Sequence, residues 1–244
     1  MIDIDSKDFL IEDGVLMEYT GRDVNVIIPQ GVTHIESFAF EKFTNLMSIT
    51  IPDSVVSIGD WAFEGCTGLT EITIPESVTC IGDGAFSECI SLTHITIPKS
   101  VTCIGEWAFE GCSRLVNVNL PNGITEISKG MFQACESLER ITLPDSVTSI
   151  GAMAFRYCLG LTNITIPDGV VSIGNQAFYD CETLGIVTIP ASVTSIGDEV
   201  FECSEAVISG GFNYLYSAAL SIHAPAGSFA EQYAKKNYIP FVAV

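Results

Sequence analysis

Hydrophobic and polar positions along this chain recur with a period of 23 residues. Proline marks the period eight times at constant spacing: Pro29, Pro52, Pro75, Pro98, Pro121, Pro144, Pro167 and Pro190. A buried-type aromatic residue follows the same spacing: Phe40, Phe63, Phe86, Phe109, Phe132, Phe155, Phe178 and Phe201. A unit this short cannot bury its own apolar face, because it has no second layer to pack against. The pattern therefore predicts a repeat solenoid in which about eight units stack, with identical side chains in contact.

Each unit is predicted to contain two extended segments. Residues 69–74, LTEITI, end in alternating apolar and polar positions, which is typical of a strand with one buried face. Proline has no N–H to donate, so Pro75 is expected at the end of that strand, and the stacked strands are expected to be parallel. In the second segment Val55 and Ile58 are expected to point inward. Gly59 is then expected to let the backbone turn.

A short helical turn is expected after that glycine. Acidic residues occupy its first position in four repeats, where they are expected to cap free N–H groups: Asp60, Asp83, Glu106 and Asp198. The fifth repeat, residues 120–142, departs from the pattern, with Ser128 in place of glycine and Met131 in place of alanine. Asn119 just before it replaces threonine. Distortion of the solenoid is expected there.

Both ends of the repeat array are predicted to have caps, since a bare terminal unit would expose its core and its strand edge. Residues 1–27 are predicted to form an N-terminal hairpin cap. Its strands are expected at Phe9–Glu12 and Val15–Tyr19, joined by a type I′ turn at Asp13–Gly14. Residues 28–203 are predicted to be the repeats, and the whole chain one continuous structural domain.

Residues 204–244 are predicted to form a C-terminal cap with one short helix. Ser228 and Glu231 have the spacing of a capping box, which predicts a helix that continues to about Lys236. Asn237 is expected to be the left-handed residue that ends it. A closing strand is expected within residues 239–244.

The charge of the chain excludes some partners. Its 30 acidic and 10 basic residues give a formal charge of -20, a field that repels phosphate backbones and anionic lipid headgroups. No nucleic acid partner and no membrane insertion are therefore expected, and no apolar run reaches the length of a membrane-spanning helix. Met1–Asp5 has neither the basic start nor the apolar run of a signal peptide, so either the chain stays inside the cell or a leader was removed.

Cysteine usage indicates buried thiols. Six of the nine cysteines keep the repeat spacing: Cys66, Cys89, Cys112, Cys135, Cys158 and Cys181. The remaining three are Cys80, Cys103 and Cys203. An odd count without a C-x-x-C pair argues against a disulfide framework and against a zinc site. Reduced structural thiols, no metal and no cofactor are predicted.

The unit I-P-x-S-V-T-x-I-G-x-x-A-F-x-x-C resembles the BspA-like branch of leucine-rich repeats, found largely in bacterial surface proteins. The resemblance covers residues 28–203, and the segments FLIEDGVLMEYTG and AGSFAEQYAKKNYIPF resemble that family's caps. It implies a curved, right-handed leucine-rich repeat solenoid with a parallel sheet on the concave side and short helical turns and strands on the convex side. It further implies a secreted or cell-surface protein that adheres to host proteins or other cells without catalysis. A cytoplasmic location is the alternative.

Two outward columns on the strands are the candidate ligand-binding surface. The first varies in residue type: Ser48, Glu71, His94, Asn117, Arg140, Asn163 and Ile186. The second is nearly uniform: Thr50, Thr73, Thr96, Asn119, Thr142, Thr165 and Thr188. With strands about 4.8 Å apart the columns extend over about 29 Å and about 500 Å². A stable interface needs about 800 Å² on each partner, so a flank is expected to contribute.

Other interpretations of these residues remain open. Unselected surface that has drifted explains the same diversity, and repeat duplication explains the threonines without a repeating ligand. Trp61 and Trp107 are candidate exposed aromatic anchors, and the alternative is that they cover neighbouring packing. No enzyme is predicted, because His34, His94 and His223 are too far apart to share one site.

The functional prediction is a monomeric, non-catalytic scaffold that binds a protein ligand through its concave face. The alternatives are a structural spacer module with no selected ligand and an intracellular interaction scaffold.

Overall fold

The computed structural model describes residues 6–209, 212–216 and 219–244, so that Met1–Asp5 of the predicted cap lie outside the described part. A 3-10 helix covers Ser6–Asp8, and one α-helix, α1, covers Phe229–Lys236. The strands in chain order are β1 (Phe9–Glu12), β2 (Val15–Tyr19), β3 (Asn25–Ile27), β4 (His34–Ile35), β5 (Ser48–Thr50), β6 (Ser57–Ile58), β7 (Glu71–Thr73), β8 (Cys80–Ile81), β9 (His94–Thr96), β10 (Cys103–Ile104), β11 (Asn117–Asn119), β12 (Glu126–Ile127), β13 (Ser149–Ile150), β14 (Asn163–Thr165), β15 (Ser172–Ile173), β16 (Ile186–Thr188), β17 (Ser195–Ile196), β18 (Glu202–Ser209), β19 (Phe212–Tyr216), β20 (Ser221–Ala224) and β21 (Phe241–Ala243).

These strands form a solenoid of about nine turns with two rows of parallel pairing. The long-strand row consists of the sheet β3-β5-β7-β9-β11 and the sheet β14-β16-β20-β21. The short-strand row consists of β2-β4-β6-β8-β10, joined by β1, and of β12-β13-β15-β17. β18 and β19 pair with each other in antiparallel fashion. The predicted parallel stacking is confirmed, and each long strand ends before the proline of its unit.

The phenylalanine column forms one continuous row through the core. Successive rings from Phe40 to Phe201 stack with centroids 5.1 to 5.7 Å apart and planes within 14° of parallel. All eight side chains are at most 2% exposed. The same stacking places Val55 and Ile58 in the core, as predicted. Because each ring rests on its counterpart, the period of the sequence becomes the period of the structure.

The cysteine column lies beside these rings. Each buried thiol donates a hydrogen bond to the carbonyl oxygen of the phenylalanine one repeat before it, as Cys112 does to Phe86 at 3.2 Å. Burial raises the pKa of the Cys66 thiol to about 12 and raises that of Cys112 well above its usual value, with a smaller contribution from Cys135. The six cysteines of this column are free thiols in the structure, as are Cys80 and Cys103.

The predicted short helix after the glycine is wrong. The segment is a turn region with two left-handed positions, as at Trp61 (φ 56°) and Gly65 (φ 65°). The backbone N–H groups of Trp61, Phe63 and Gly65 donate to carbonyl groups of the next repeat at 2.7 to 2.8 Å. A helix would use those N–H groups internally, so bonding between repeats replaces helix formation.

The acidic residues at the start of this turn do not cap a helix. The Asp60 carboxylate instead accepts a hydrogen bond from the backbone N–H of Asp83 at 2.9 Å, and Asp83 accepts one from Glu106 at 2.8 Å. Asn175 makes the equivalent bond with Asp198 at 3.0 Å. The polar column therefore links one repeat to the next.

Gly59 is needed for close approach, not for the turn that was predicted. Its φ is not in the left-handed region, and a Cβ on it would lie 2.6 Å from the backbone N of Ser37 in the preceding repeat. The glycines at the equivalent positions have similarly close neighbours, such as Asp83 Oδ1 at 2.3 Å from a Cβ on Gly105. Only a residue without a side chain allows repeats to stack this closely.

The fifth repeat is distorted, as expected. Within the described residues, β12 does not pair with β10, and Asn119 and Thr142 form only an isolated bridge. Ser128 stands where six of the other seven repeats have glycine, and its hydroxyl donates to the Ile104 carbonyl at 2.7 Å. The glycines make this bond through their backbone N–H, as Gly105 does to Ile81 at 2.9 Å. A side-chain bond thus replaces a backbone bond.

The hairpin at the N-terminus has the predicted strands and turn. β1 and β2 pair in antiparallel fashion, and Asp13 (φ 49°) and Gly14 (φ 81°) both have the positive φ of a type I′ turn. β2 also pairs in parallel with β4, which attaches the hairpin to the short-strand row. The division of the chain at residues 28 and 204 stays a prediction.

The C-terminal helix begins as predicted but ends differently. Ser228 accepts a hydrogen bond from the Glu231 N–H at 3.2 Å. Asn237 has a φ of -101°, so the prediction that it is left-handed is wrong. Tyr238 is the left-handed residue (φ 57°), and Ile239 N–H donates to Ala234 at 2.9 Å. Together with the bond from the Tyr238 N–H to Lys235 at 3.4 Å, this bond forms a Schellman motif. The motif ends the helix one residue later than expected. β21 then pairs in parallel with β20.

Candidate functional site

The outward side of the long-strand row is the surface predicted to bind a ligand, and we name it the strand face. It holds the two outward columns, separated along each strand by a buried residue such as Ile72. Most of the predicted residues are exposed there: Glu71, Thr73, His94, Thr96, Asn117, Asn119, Arg140, Thr142, Asn163 and Thr165. Ser48 is half-buried, because its hydroxyl donates to Asn25 Oδ1 at 2.7 Å.

The register of the strands brings many of these residues together. Glu71 and His94 are direct partners in β7 and β9, and His94 and Asn117 are direct partners in β9 and β11. Strands in a sheet lie about 4.8 Å apart, so these side chains form one continuous surface. Asn163 lies beyond the distorted fifth repeat and pairs with Ile186 instead.

One open groove lies on the strand face between β5 and β7. It has a volume of about 410 Å³. It is lined by Ser48, Ile49, Thr50, Ile51, Asp53, Glu71, Ile72, Thr73 and Pro75. β5 and β7 pair through a single residue pair, Thr50 and Thr73, whereas β7 and β9 pair through three. We name this the first groove.

A second open groove lies where the fifth repeat interrupts the sheet. Its volume is about 550 Å³. It is lined by Asn117, Val118, Asn119, Leu120, Asn122, Arg140, Ile141, Thr142 and Pro144. Here too the adjacent segments share one residue pair, Asn119 and Thr142. Both grooves therefore form where neighbouring strand segments share a single residue pair.

The two grooves differ in charge. The first contains the carboxylates of Asp53 and Glu71. The second contains the guanidinium of Arg140 among three asparagine side chains. Among the described residues Arg140 makes no salt bridge, so its donors face solvent. The strand face thus offers acidic and basic groups about three strands apart.

The groove residues Asp53, Leu120 and Asn122 were not predicted from the sequence as part of the binding surface. Asp53 and Asn122 belong to one outward column just after the proline, which also varies: Asp53, Glu76, Lys99, Asn122, Asp145 and Asp168. That variation was a usable signal. No sequence signal predicts the grooves themselves, because they depend on how many residue pairs join two strands.

The two candidate aromatic anchors lie against glycines of the following repeat. A Cβ on Gly84 would lie 2.1 Å from Trp61 Cε3, and one on Gly130 would lie 2.2 Å from Trp107 Cδ1. The ammonium group of Lys129 lies 4.6 Å from the centroid of the Trp107 ring. Both tryptophans are half-buried. These contacts support the packing interpretation, and a role as binding anchors stays a prediction.

A second, less regular threonine column lies beside the short-strand row: Thr33, Thr79, Thr102, Thr125, Thr148 and Thr194. The Thr79 hydroxyl lies 3.3 Å from the Val56 carbonyl, and the Thr148 hydroxyl lies 3.1 Å from that of Thr125. Each donates a hydrogen bond to the preceding repeat. These threonines therefore help to join the repeats and need no ligand.

The three histidines lie on different strands, β4, β9 and β20. Within residues 6–209, 212–216 and 219–244, no group of three or more His, Cys, Asp or Glu side chains could hold a metal ion. The same part of the chain contains no helix with the length and apolarity required to cross a bilayer.

Comparisons with known proteins agree with the repeat. The model of the BspA type leucine rich repeat region matches with 6 copies, over residues 18–139 and 125–220. The structure is similar to a leucine rich repeat protein of T. pallidum, with 26% identity, a TM-score of 0.56, and coverage of 94% of this chain and 91% of that chain. It is also similar to a leucine rich cell surface protein of Faecalibacterium prausnitzii A2-165, with 22% identity, a TM-score of 0.50, and coverage of 96% and 92%.

Comparison with curated proteins found no match. The family model nevertheless spans most of the chain, and its repeats coincide with the stacked units of the structure. This chain belongs to the BspA-type leucine-rich repeat family.

Proposed function

We propose that this chain is a non-catalytic protein-binding scaffold whose ligand lies along the strand face. The main support is that many residues of the outward columns also line the two grooves. Of the fourteen residues in the two outward columns, four line the first groove and four line the second. Exposed residues that vary between repeats therefore surround the two depressions of that face.

The two grooves also increase the area that the strand face can bury against a partner. A flat strip of about 500 Å² lies below the area of a stable interface. A partner can insert side chains into the grooves. The outward column just after the proline extends the surface toward one flank. Because the face has both Glu71 and Arg140, the proposed partner presents charges of both signs.

We further propose that the protein acts at the bacterial cell surface or after secretion, as an adhesion or recognition module. Membership of the BspA-type family supports this location, because that family is typically surface-associated. The protein ligand would then come from a host or from another cell.

Grouped substitution tests the proposal. Glu71, His94, Asn117 and Arg140 are replaced together by alanine, and binding to immobilised extracellular matrix and serum proteins is measured by surface plasmon resonance. We expect loss of binding of at least tenfold with the melting temperature nearly unchanged, since exposed side chains contribute little to stability.

The matched control replaces four exposed threonines of the short-strand row: Thr79, Thr102, Thr125 and Thr148. Binding by this variant should equal that of the unmodified protein. Equal binding by the strand-face variant would contradict the proposal and favour a structural spacer or another binding face.

A further inference from the structure

Two cysteines outside the core column are neighbours on the short-strand row. Cys80 in β8 and Cys103 in β10 are direct Cα partners in parallel strands. Cys80 is half-buried and Cys103 is exposed, whereas the six cysteines of the core column are buried. The Cys103 thiol is also close enough to contribute to the raised pKa of the Cys80 thiol. This pair has no counterpart in the other repeats, where the same position holds a non-cysteine residue.

The spacing of the two residues suits a covalent bond. Strands in a sheet lie about 4.8 Å apart. Disulfides join residues whose Cα atoms are about 4.4 to 6.8 Å apart. Neighbouring parallel side chains point the same way, so both thiols are on the same side of the row.

We propose that Cys80 and Cys103 form a reversible disulfide that joins the third repeat to the fourth under oxidising conditions. The oxidant is a low-molecular-weight disulfide such as oxidised glutathione. The Cys103 thiolate attacks one sulfur of the oxidant, forms a mixed disulfide and releases one glutathione thiolate. The Cys80 thiol then loses its proton and attacks the Cys103 sulfur, which releases the second glutathione thiolate. Two protein thiols are oxidised and one glutathione disulfide is reduced.

The environment fixes this order of attack. Cys103 is accessible to a small disulfide in solution, whereas Cys80 is half-buried. Burial, the neighbouring Cys103, and the carboxylates of Asp60 and Asp83 raise the pKa of Cys80 to about 12. The first attack by Cys80 is therefore disfavoured, and its thiol acts as the resolving group.

The resulting bond is expected to be easily reduced. Side chains on parallel neighbours have Cβ atoms near the strand spacing, which is longer than the usual Cβ separation of about 3.8 Å in disulfides. Bonds that are strained and exposed have more oxidising potentials than structural disulfides. Within the described part of the short-strand row, β10 pairs only with β8, so Cys103 lies at a sheet edge where a small displacement is possible.

The chain itself supplies the matched variants. Serine occupies the equivalent position in four other repeats, at Ser57, Ser149, Ser172 and Ser195, and each begins a short strand. Cys80→Ser and Cys103→Ser therefore place in the row a residue that it already accommodates, and both variants are expected to fold.

The test incubates the native, reduced protein with oxidised glutathione and follows it by intact mass spectrometry and peptide mapping. We expect the loss of two hydrogen masses and a cross-linked peptide containing Cys80 and Cys103. Dithiothreitol should reverse both changes. Cys80→Ser should instead retain one glutathione on Cys103, because the resolving thiol is missing.

Two results would overturn the proposal. One is native protein that accumulates glutathione on Cys103 without forming the cross-link. The other is a cross-link that persists in Cys80→Ser and joins Cys103 to Cys203, which would assign the pairing to another cysteine.

Discussion

The indole ring of Trp61 covers the Cα atom of Gly84 in the next repeat, where a Cβ would lie 2.1 Å from Trp61 Cε3. Gly84 has a φ of 56°, but so does Trp61 itself, and Met153 at the same position of a later repeat has 59°. The left-handed backbone therefore does not require glycine here. The absence of a side chain at Gly84 is required by the ring above it.

We expect Gly84→Ala to lower the free energy of unfolding by about 2–4 kcal/mol, since it adds a steric conflict to the cost of alanine at positive φ. Gly31→Ala is the matched control, because Gly31 has a φ of 92° and no atom within 4 Å of its Cβ position. That control should cost about 1 kcal/mol. Urea unfolding measures both.

Removing the ring should remove the conflict. In the Trp61→Ala background, we expect the further change Gly84→Ala to cost no more than Gly31→Ala does, so the double-mutant cycle gives a coupling energy of about 1–3 kcal/mol. Additive costs would show that the ring moves aside freely and that the steric explanation is incorrect.

A second prediction concerns the glycine that begins each turn region. Gly105→Ser should destabilise the protein by about 1–3 kcal/mol, because its Cβ would lie 2.3 Å from Asp83 Oδ1 and 2.4 Å from the Asp83 backbone N. The reverse change, Ser128→Gly, removes the corresponding obstacle in the fifth repeat. We expect the backbone amide of residue 128 to become protected from hydrogen exchange, as it takes over the bond to Ile104.

This account would be contradicted if the amide of residue 128 were equally protected from hydrogen exchange in Ser128→Gly and in the unmodified protein. It would mean that some other residue of the fifth repeat, such as Met131, holds the repeats apart. Because the second groove lies in the same repeat, Ser128→Gly should also reduce ligand binding without changing any residue that lines the groove.

The periodic positions allowed much of this fold to be predicted, because a stacked side chain contacts the equivalent residue, usually of the same type, in the next repeat. Phe63 and Phe86 illustrate this, with rings 5.4 Å apart and nearly parallel. The turns were less predictable. Asp60 at the start of a segment fits a helix cap by residue type alone, whereas its actual partner is the backbone N–H of Asp83, 23 residues away.

The candidate surface was predictable only in part. Alternation of polar and apolar positions placed Glu71 and Arg140 outward on the correct face. Their grooves follow from pairing between strands, which differs between β5/β7 and β7/β9 although the sequences are similar. Local patterns do not encode such differences, because each depends on how two whole repeats fit together.

A third prediction tests the phenylalanine row. Phe109 is fully buried and its ring stacks 5.7 Å from Phe86 and 5.6 Å from Phe132. Phe109→Ala should lower the free energy of unfolding by about 3–5 kcal/mol, through lost burial and the cavity that remains. Phe38→Ala is the control, because Phe38 is 51% exposed, and it should change stability by less than about 0.5 kcal/mol. Similar costs for both would mean that the row is not the core.

The last prediction concerns pH. Burial, with smaller effects of neighbouring groups, holds the pKa values of the core-column thiols above the usual value, to about 12 for Cys66. In the unfolded chain these thiols ionise at about pH 8.5. Between those values the unfolded state loses protons and the folded state keeps them, so the thiols favour unfolding as pH rises. Their contribution to stability is complete below about pH 8 and decreases above it, by about 1.4 kcal/mol per pH unit for each thiol.

Cys112→Ser isolates this effect, because serine does not titrate and its hydroxyl can keep the bond to the Phe86 carbonyl. In urea unfolding between pH 8 and pH 10, the decrease in free energy of unfolding should be smaller in the variant by about 1.4 kcal/mol per pH unit once the unfolded thiol is ionised. Below about pH 8 the two proteins should depend on pH equally. A variant whose stability follows the same alkaline slope as the unmodified protein would show that the Cys112 thiol ionises within the fold, and that the column is open to water.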